Sequence, residues 1–275
     1  MKVGDPMPEI PEMETYRALL AQRILHTPIV AADVQREKSI NVPVDAFRRR
    51  VEGRTIVGIA RRAKHLLFHL DSGDVLLLHL MLGGWMFYGT ESEKPDRTTQ
   101  VTLSFGERSL YFIGLRLGYL HLWSSSEAEA RLAELGPEPL ELSFTEAELR
   151  RTIGRKRTVL KPTMTDQKTI AGIGNCYADE ICFDAGILPI RKIESLSEEE
   201  FGKLYGSMRS VLLEAIRFGG YMENPLFPGD ALTGGFDSRC AVYDRGGEPC
   251  VRCGSPLVQE ELASRKVFYC TRCQR

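Results

Sequence analysis

The sequence predicts a multidomain α+β protein: an N-terminal helix plus a β-sandwich, then a helical domain that ends in a C-terminal zinc-ribbon hairpin. Three observations carry the prediction. Apolar residues recur at helical spacing near the start, and short β-rich runs replace them from about Ile29 to Trp123. A proline-punctuated stretch, LGPEPLELS, then leads into a second region of helical periodicity. Finally, five of the seven cysteines fall in the last forty residues.

Taken in order, residues 11–25 form the first helix. Pro11 suits the first turn, where its missing N–H costs nothing, and Glu12 and Glu14 favour the positive helix end. Met13, Leu19, Leu20 and Ile24 supply its apolar stripe. The runs TIVGIARR, HLLFHLDSGD, VLLLHLML and VTLSFGERSLYF read as strands, with hairpin turns at Asp71–Gly73 and Gly106–Ser109. Two packed sheets are the expected arrangement, with a loop following at Ser124–Ser126. From Thr145 to about Phe218 the periodicity is helical, and residues 219–236, rich in glycine and proline, read as a long functional or mobile loop. The expected boundaries are 7–125 for the N-terminal domain, 126–142 for a linker, 143–235 for the helical domain and 236–275 for the zinc hairpin.

Composition excludes several classes. The chain has 275 residues, 43% of them hydrophobic, ample for more than one buried core. Its longest apolar stretch, Val75 to Tyr88, is broken by His79, Gly83 and Gly84 and falls short of the ~18 to 20 residues of a membrane span. No membrane partner is expected, and MKVGDP lacks the apolar run of a secretory signal, so an intracellular, cytoplasmic protein is expected. A net charge of −1 hides a local excess: residues 150–170 hold seven basic side chains and one acidic one. A basic face of that kind is sufficient for phosphate-backbone binding, although a solvated helix face gives the same count.

The cysteines carry a sharper signal. Cys250-x-x-Cys253, sixteen residues, then Cys270-x-x-Cys273 places two thiolate pairs on two tight turns, the arrangement that completes a zinc tetrahedron. Four protein ligands leave no open position, so the one Zn2+ is structural and holds a hairpin too small to fold alone. Cys176, Cys182 and Cys240 are expected to pack as small apolar residues.

The second unusual stretch is Met7-Pro8-Glu9-Ile10-Pro11-Glu12-Met13-Glu14. A proline directly after a methionine becomes N-terminal when that methionine initiates translation and is removed. An α-amine titrates near ~8, against ~10.4 for lysine, so much of it is neutral and nucleophilic at neutral pH. A secondary amine condenses with an aldehyde to a charged iminium, an electron sink, and an adjacent carboxyl can move protons. Translation from Met7 is the expectation, because with Met1–Pro6 in place the Pro8 nitrogen is an amide. Locally the stretch also reads as a helix start with two prolines.

The order of motifs weighs further. PEIPEMET, a lysine in RRAKHLLF, LGPEPL, KPTMTDQKTIAGIGNCYADE, GILP and a terminal FYCTRCQR occur in one series. The set resembles the formamidopyrimidine-DNA glycosylase/endonuclease VIII family of bacterial base-excision repair enzymes, over nearly the whole chain from Met7. The resemblance implies a bifunctional DNA glycosylase and abasic-site lyase. Its substrate would be double-stranded DNA carrying oxidised bases or abasic sites. It would act as a monomer, nucleoid-associated in the cytoplasm, with no cofactor beyond the zinc. The helical region would be a helix–two-turns–helix domain, and DNA would lie across a basic cleft. Pro8 matches the amine that attacks the sugar, Glu9 the acid that helps open its ring, and Lys64 the hairpin lysine that supports β-elimination. Lys161 and Asn175 match phosphate ligands, Arg155 belongs to the basic segment before them, and Arg265 matches the zinc-hairpin arginine that grips phosphate beside the lesion.

Departures from the family pattern concern lesion choice. The nucleotide must leave the stack before its base can be attacked, and a wedge must fill the gap. Leu82 stands where the 8-oxoguanine enzymes carry methionine, and Leu115 and Leu117 stand where the family has Arg and Phe void-fillers. Leucine offers no hydrogen bond with which to select an opposing cytosine. The family's histidine is replaced around Gln100, and GGYMENPLFPGDALTGG differs from the family's lesion-recognition loop. Oxidised pyrimidines or abasic sites are therefore as well expected as 8-oxoguanine. The alternative is a non-catalytic lesion- or DNA-structure-binding paralogue, and a third reading is a zinc-ribbon RNA-binding factor.

Overall fold

A computed structural model describes residues 7–275, which form two compact units. The expectation about translation from Met7 concerns Met1–Pro6, which lie outside the described residues. Residues 7–134 with Phe218–Gly235 make the first unit; Leu135–Arg217 with Phe236–Arg275 make the second.

The first unit begins with α1 (Ile10–Ile24), one residue earlier than the periodicity indicated. Met13, Tyr16, Leu20 and Ile24 are fully buried at spacings of three and four. Then come β1 (Ala31–Val34), α2 (Val44–Val51), β2 (Ile56–Arg62), β3 (His65–Leu70), β4 (Asp74–His79), β5 (Trp85–Gly89), β6 (Thr99–Ser104), β7 (Ser109–Ile113), β8 (Tyr119–Ser124) and α3 (Ser125–Leu132). The strands form two four-stranded sheets, in the orders β1-β6-β7-β5 and β2-β3-β4-β8, with antiparallel neighbours throughout. Alternation along each strand decides which residues fill the core. Leu66, Phe68, Leu76, Leu78, Leu120 and Leu122 of one sheet share a single cluster with Met86, Val101, Leu103, Leu110 and Phe112 of the other.

Two helices interrupt the region expected to hold only strands and a loop. The first is α2, which starts after Pro43 and buries Phe47 and Val51, four residues apart. The second is α3, and it corrects the expected loop at Ser124–Ser126. Ser124 ends β8 and caps α3: its Oγ accepts the Glu127 N–H at 3.3 Å, while Glu127 Oε2 accepts the Ser124 N–H at 2.9 Å. This S-x-x-E capping box satisfies two helix-end donors at once. The residues expected to form a linker from position 126 are therefore helical as far as Leu132.

Residues 218–235 also differ from their expected place in the helical domain. They form no regular element, but they belong to the sandwich. Leu226 is fully buried in its core and accepts the Tyr88 N–H at 2.6 Å. The Arg23 guanidinium lies 3.5 Å from the Phe227 ring centroid. Asp230 accepts from the N–H groups of Leu226, Leu232 and Thr233 and from Thr233 Oγ1. Burial opposes its charge, but these bonds outweigh burial and hold its carboxyl below the usual range. Proximity in sequence pointed to the helices; the apolar pair Leu226 and Phe227 finds its partners in the sandwich instead.

The second unit holds α4 (Glu146–Ile153), α5 (Leu160–Thr165), α6 (Asn175–Ala185), α7 (Glu198–Arg217), β9 (Val258–Leu262) and β10 (Arg265–Tyr269). Helix α6 is its centre, with Cys176, Tyr177, Ala178, Ile181 and Cys182 all fully buried. It stops at Gly186, whose φ of 71° suits glycine and lets the chain turn back. Glu180, on α6, accepts the N–H groups of Ala241, Val242 and Tyr243 at 2.8–2.9 Å and so fixes the entry to the zinc hairpin. Burial pushes its carboxyl above the ordinary value even so. Cys176, Cys182 and Cys240 are buried, as expected of small apolar residues. Among the described residues, no helix is long and apolar enough to cross a membrane.

Candidate active site and nucleic-acid interface

The N-terminal constellation is built on α1. Glu9 is its N-cap, and a reciprocal capping box with Glu12 closes the first turn, with Glu12 Oε2 accepting the Glu9 N–H at 2.9 Å. Unpaired amide donors and the helix dipole make that end attractive for carboxylates. Pro8 and Glu9 are both buried.

Lys64 reaches the same place from the turn between β2 and β3. Ala63 in that turn has a φ of 52°, and Arg61 braces it. One Arg61 nitrogen donates to the Ala63 carbonyl at 3.1 Å and another to Glu14 Oε2 at 3.1 Å. A single guanidinium thus ties the lysine turn to the helix that carries Glu9. Lys64 is 6% exposed, and its Nζ lies 3.7 Å from Met7 Sδ, on the residue bonded to the Pro8 nitrogen. The structure therefore brings Lys64 to the residue that directly precedes Pro8 and Glu9. Arg61 is a functional neighbour that the sequence alone did not single out, because RRAK reads as one basic run.

Beside Lys64 lies a histidine stack. The His65 and His79 rings are 4.3 Å apart, and the Tyr119 hydroxyl is 3.1 Å from His65 Nε2. Burial pushes His65 down to about 4 and His79 down to about 3, so both rings are neutral at pH 7. His79 is a half-buried aromatic, packed against His65 and Tyr119.

The three leucines expected to fill a void separate into two kinds. Leu82 and Leu117 are 44% and 62% exposed, on the β4–β5 and β7–β8 connections. Leu115 corrects the expectation: it is fully buried and belongs to the sandwich core. Its N–H donates to Gln100 Oε1 at 2.8 Å, and its carbonyl faces Ser39 Oγ at 3.4 Å. A side chain held inward in this way is no wedge, because presenting it would empty part of the core. Gln100, where the family histidine was expected, is a buried brace for that connection.

In the second unit, most of the basic run is already paired. Arg150 bonds Glu146 and Glu198, Arg151 bonds Glu148, and Lys156 donates to Thr169 Oγ1. Arg155 and Arg157 lie exposed in the turn between α4 and α5. Lys161 departs from its expected contact with phosphate. It is 2% exposed, and its Nζ donates to Asp179 Oδ2 at 2.7 Å and to the Lys266 carbonyl at 2.6 Å. Asp179 also accepts the Phe268 N–H at 3.1 Å. The buried pair thus joins α5, α6 and β10, and breaking it to reach solvent would strand two charges. Burial raises the Asp179 carboxyl to about 7, with Lys161 opposing the shift.

Asn175 opens α6 after the Gly172-Ile173-Gly174 turn, where Gly172 has a φ of 93°. Gln167 holds the turn, accepting the Gly172 N–H at 2.8 Å and donating to the Ile173 carbonyl at 2.8 Å. A glycine turn at a helix N-terminus gives backbone N–H groups access to an anion. Arg265 is exposed and directly follows the β9–β10 turn, in which Ala263 and Ser264 have φ of 50° and 60°. Its Nη1 donates to Thr165 Oγ1 at 3.1 Å, and it lines a cleft of about 280 Å³ with Thr165, Asp166 and Leu262.

The metal ligands fit their expected ion. The four sulfurs of Cys250, Cys253, Cys270 and Cys273 lie within 4.8 Å of one another, with Cys250–Cys273 at 3.9 Å and Cys253–Cys270 at 3.5 Å. A tetrahedron of Zn–S bonds of about 2.3 Å needs sulfurs about 3.8 Å apart. Gln274 steadies the second turn: its Oε1 accepts the Cys270 N–H at 2.7 Å and its Nε2 donates to the Ile187 carbonyl at 2.9 Å. One structural zinc belongs here.

A proline-and-carboxylate helix start facing a hairpin lysine, followed by a glycine-turn helix domain with a four-cysteine hairpin, defines the class of two-domain, zinc-hairpin DNA-repair proteins. Three family models match this chain in that order. They are the formamidopyrimidine-DNA glycosylase N-terminal domain at residues 7–119, the formamidopyrimidine-DNA glycosylase H2TH domain at 135–224, and the zinc finger found in FPG and IleRS at 247–275. A formamidopyrimidine-DNA glycosylase of Desulfitobacterium hafniense is 38% identical over 272 residues, covering 98% of this chain and 100% of the relative. One of Geobacillus kaustophilus is 39% identical over 276 residues, with the same coverage. The Lactococcus lactis Fpg complexed with DNA containing N7-benzyl-Fapy-dG superposes with a TM-score of 0.90 at 28% identity, covering 98% of this chain and 100% of that one. Its complex with abasic-site DNA also gives 0.90 at 28% identity, covering 97% and 99%. The chain belongs to the formamidopyrimidine-DNA glycosylase family.

Proposed function

We propose that this protein excises oxidised bases from duplex DNA and cleaves the resulting abasic strand, with the Pro8 nitrogen as nucleophile. It is a DNA N-glycosylase with abasic-site lyase activity, and its partner is double-stranded DNA carrying oxidised bases or abasic sites. The observation that carries the chemistry is the Lys64 ammonium 3.7 Å from the sulfur of Met7, the residue joined to Pro8, with Glu9 next in the chain as the N-cap of α1. The first family model also begins its match at residue 7.

The reaction follows from those groups. The free imino nitrogen attacks C1′ of the flipped nucleotide and the bond to the damaged base breaks, the base leaving with the proton that the nitrogen gives up. Glu9 delivers a proton to the ring oxygen as the sugar opens, and nitrogen and C1′ become an iminium. That cation draws electrons from C2′, a proton leaves C2′, and the C3′–oxygen bond breaks with the phosphate as leaving group. A second elimination at C5′ releases the other phosphate. Lys64 places a positive charge beside the reacting carbon. Arg265, Asn175 and the exposed Arg155 supply phosphate contacts, and the zinc keeps Arg265 on a rigid hairpin without entering a chemical step. Leu82 and Leu117 fill the space the flipped nucleotide leaves, and neither offers a hydrogen bond to the opposing base. The protein acts as a monomer on the bacterial nucleoid.

Borohydride reduction tests this reading. Protein beginning at Pro8, mixed with an abasic duplex and borohydride, forms a stable covalent adduct; Pro8→Gly removes most of it, and an N-terminal extension abolishes it. Absence of adduct from protein beginning at Pro8, with tight binding to the same duplex, favours the non-catalytic binding role instead.

A further inference from the structure

We propose that Tyr221 is a hydrogen-bonding partner of the reacting Pro8 nitrogen, a role that rests on the Schiff-base reading above and adds a residue to it. Tyr221 lies in the irregular segment 218–235, and its hydroxyl donates to the Met7 carbonyl oxygen at 3.1 Å. That oxygen is bonded through one carbon to the Pro8 nitrogen, and standard bond lengths put the two atoms about 2.3 Å apart. Removal of Met7 takes the oxygen away and leaves the phenol facing the freed imino group. Lys64 reaches the same methionine from the β2–β3 turn, with its Nζ 3.7 Å from Met7 Sδ, so two polar side chains touch one residue.

The placement of Tyr221 is enforced by α1. Glu12 Oε1 accepts the Tyr221 N–H at 2.7 Å, while Glu12 Oε2 accepts the Glu9 N–H at 2.9 Å. One carboxylate, 1% exposed, therefore fixes both the backbone beside the nucleophile and the backbone of the tyrosine. Gly220 makes the approach possible: its φ is 74°, and a Cβ there would stand 2.2 Å from Glu12 Oε1. Tyr221 itself is 6% exposed, so its ring has little freedom to swing away. The phenol oxygen accepts the N–H of the secondary amine, which turns the nitrogen lone pair toward the sugar carbon. No proton changes hands in this step. Among the described residues, Glu9 and Glu12 on α1 and Lys64 on the hairpin turn are titratable neighbours of this junction.

The test uses Tyr221→Phe, which keeps the ring and deletes the oxygen, in full-length protein beginning at Pro8. Three quantities are compared with the unsubstituted protein: the single-turnover rate of borohydride trapping on abasic duplex across pH, the Kd for a tetrahydrofuran-containing duplex, and Tm. Loss of one aligning hydrogen bond is expected to slow trapping about tenfold. The pH midpoint of trapping should move as well, with Kd and Tm unchanged. Trapping at the unsubstituted rate and midpoint overturns the proposal alone. A slower rate accompanied by matching losses in Kd and Tm also overturns it, since the tyrosine is then structural. No adduct from the unsubstituted protein overturns the Schiff-base reading and this proposal with it.

Discussion

Leu115, Leu82 and Leu117 look alike in sequence, yet their substitution to alanine should have opposite consequences. Leu115 is fully buried among the sandwich leucines, whereas Leu82 and Leu117 are 44% and 62% exposed. Leu115→Ala removes three carbons, worth about 2.4 kcal/mol of transfer free energy at about 0.8 kcal/mol per methylene. A residual cavity of about 50 Å³ adds about 1.2 kcal/mol at about 24 cal/mol per Å³. The total of about 3.6 kcal/mol corresponds to a fall in Tm of about 7–14 °C for a unit of this size. Leu82→Ala and Leu117→Ala should each change stability by less than about 0.5 kcal/mol, as exposed substitutions do. They should instead slow excision about tenfold, the equivalent of about 1.4 kcal/mol of lost transition-state stabilisation. The assay is urea unfolding followed by tryptophan fluorescence, since the chain's two tryptophans, Trp85 and Trp123, both lie in the first unit. Excision of a lesion-bearing duplex is measured in parallel. A Leu115→Ala protein of normal stability but impaired excision would refute the assignment of Leu115 to the core.

Three further outcomes are expected. Lys161→Met strands the Asp179 carboxylate in the interior and should cost about 3–5 kcal/mol, while Lys161→Met/Asp179→Leu should recover much of it; urea unfolding of both proteins checks this, and a loss below about 1 kcal/mol from the single change would contradict the buried pair. Removing zinc with a chelator should release the β9–β10 hairpin and weaken duplex binding at least about tenfold, with the tryptophan signal of the sandwich unchanged; unchanged affinity in the metal-free protein would count against the role given to Arg265. The sandwich should also lose stability on acidification. His65 and His79 titrate in the folded state at about 4 and about 3, below the ordinary 6.5, so the unfolded chain takes up their protons first. Their contribution is complete above pH 6.5 and is lost as pH falls toward 3, with about 3 kcal/mol from His65 alone at about 1.4 kcal/mol per unit. His65→Gln should flatten that slope, and an unaltered slope would mean that the rings are solvated.

Much of the architecture was legible because it is written in periodicity and spacing. The α1 stripe, the alternating strands and the Cys-x-x-Cys pairs each follow from local geometry that one sequence reveals. What escaped was information carried by tertiary partners. The S-x-x-E box at Ser124 was present in the sequence, but the stretch read as a serine-rich loop. Leu115 could be read as exposed because its glycine-flanked connection resembles a surface turn, and only Gln100 and Ser39 reveal that it points inward. Lys161 carries a charge that any sequence count credits to the surface; Asp179, eighteen residues on, cancels it. The position of residues 218–235 depended on Leu226 finding the sandwich core, a contact over more than one hundred residues that no local pattern encodes. Glu12 and Tyr221 escaped for the same reason.

The chemistry turns on the identity of one nucleophilic atom. Tandem mass spectrometry of the borohydride-trapped adduct, digested to peptides, locates that atom directly. The expected result is a reduced sugar remnant on the nitrogen of Pro8 in a peptide that begins at that residue. A remnant carried by Lys64 or any other lysine, with the Pro8 peptide unmodified, would contradict the account.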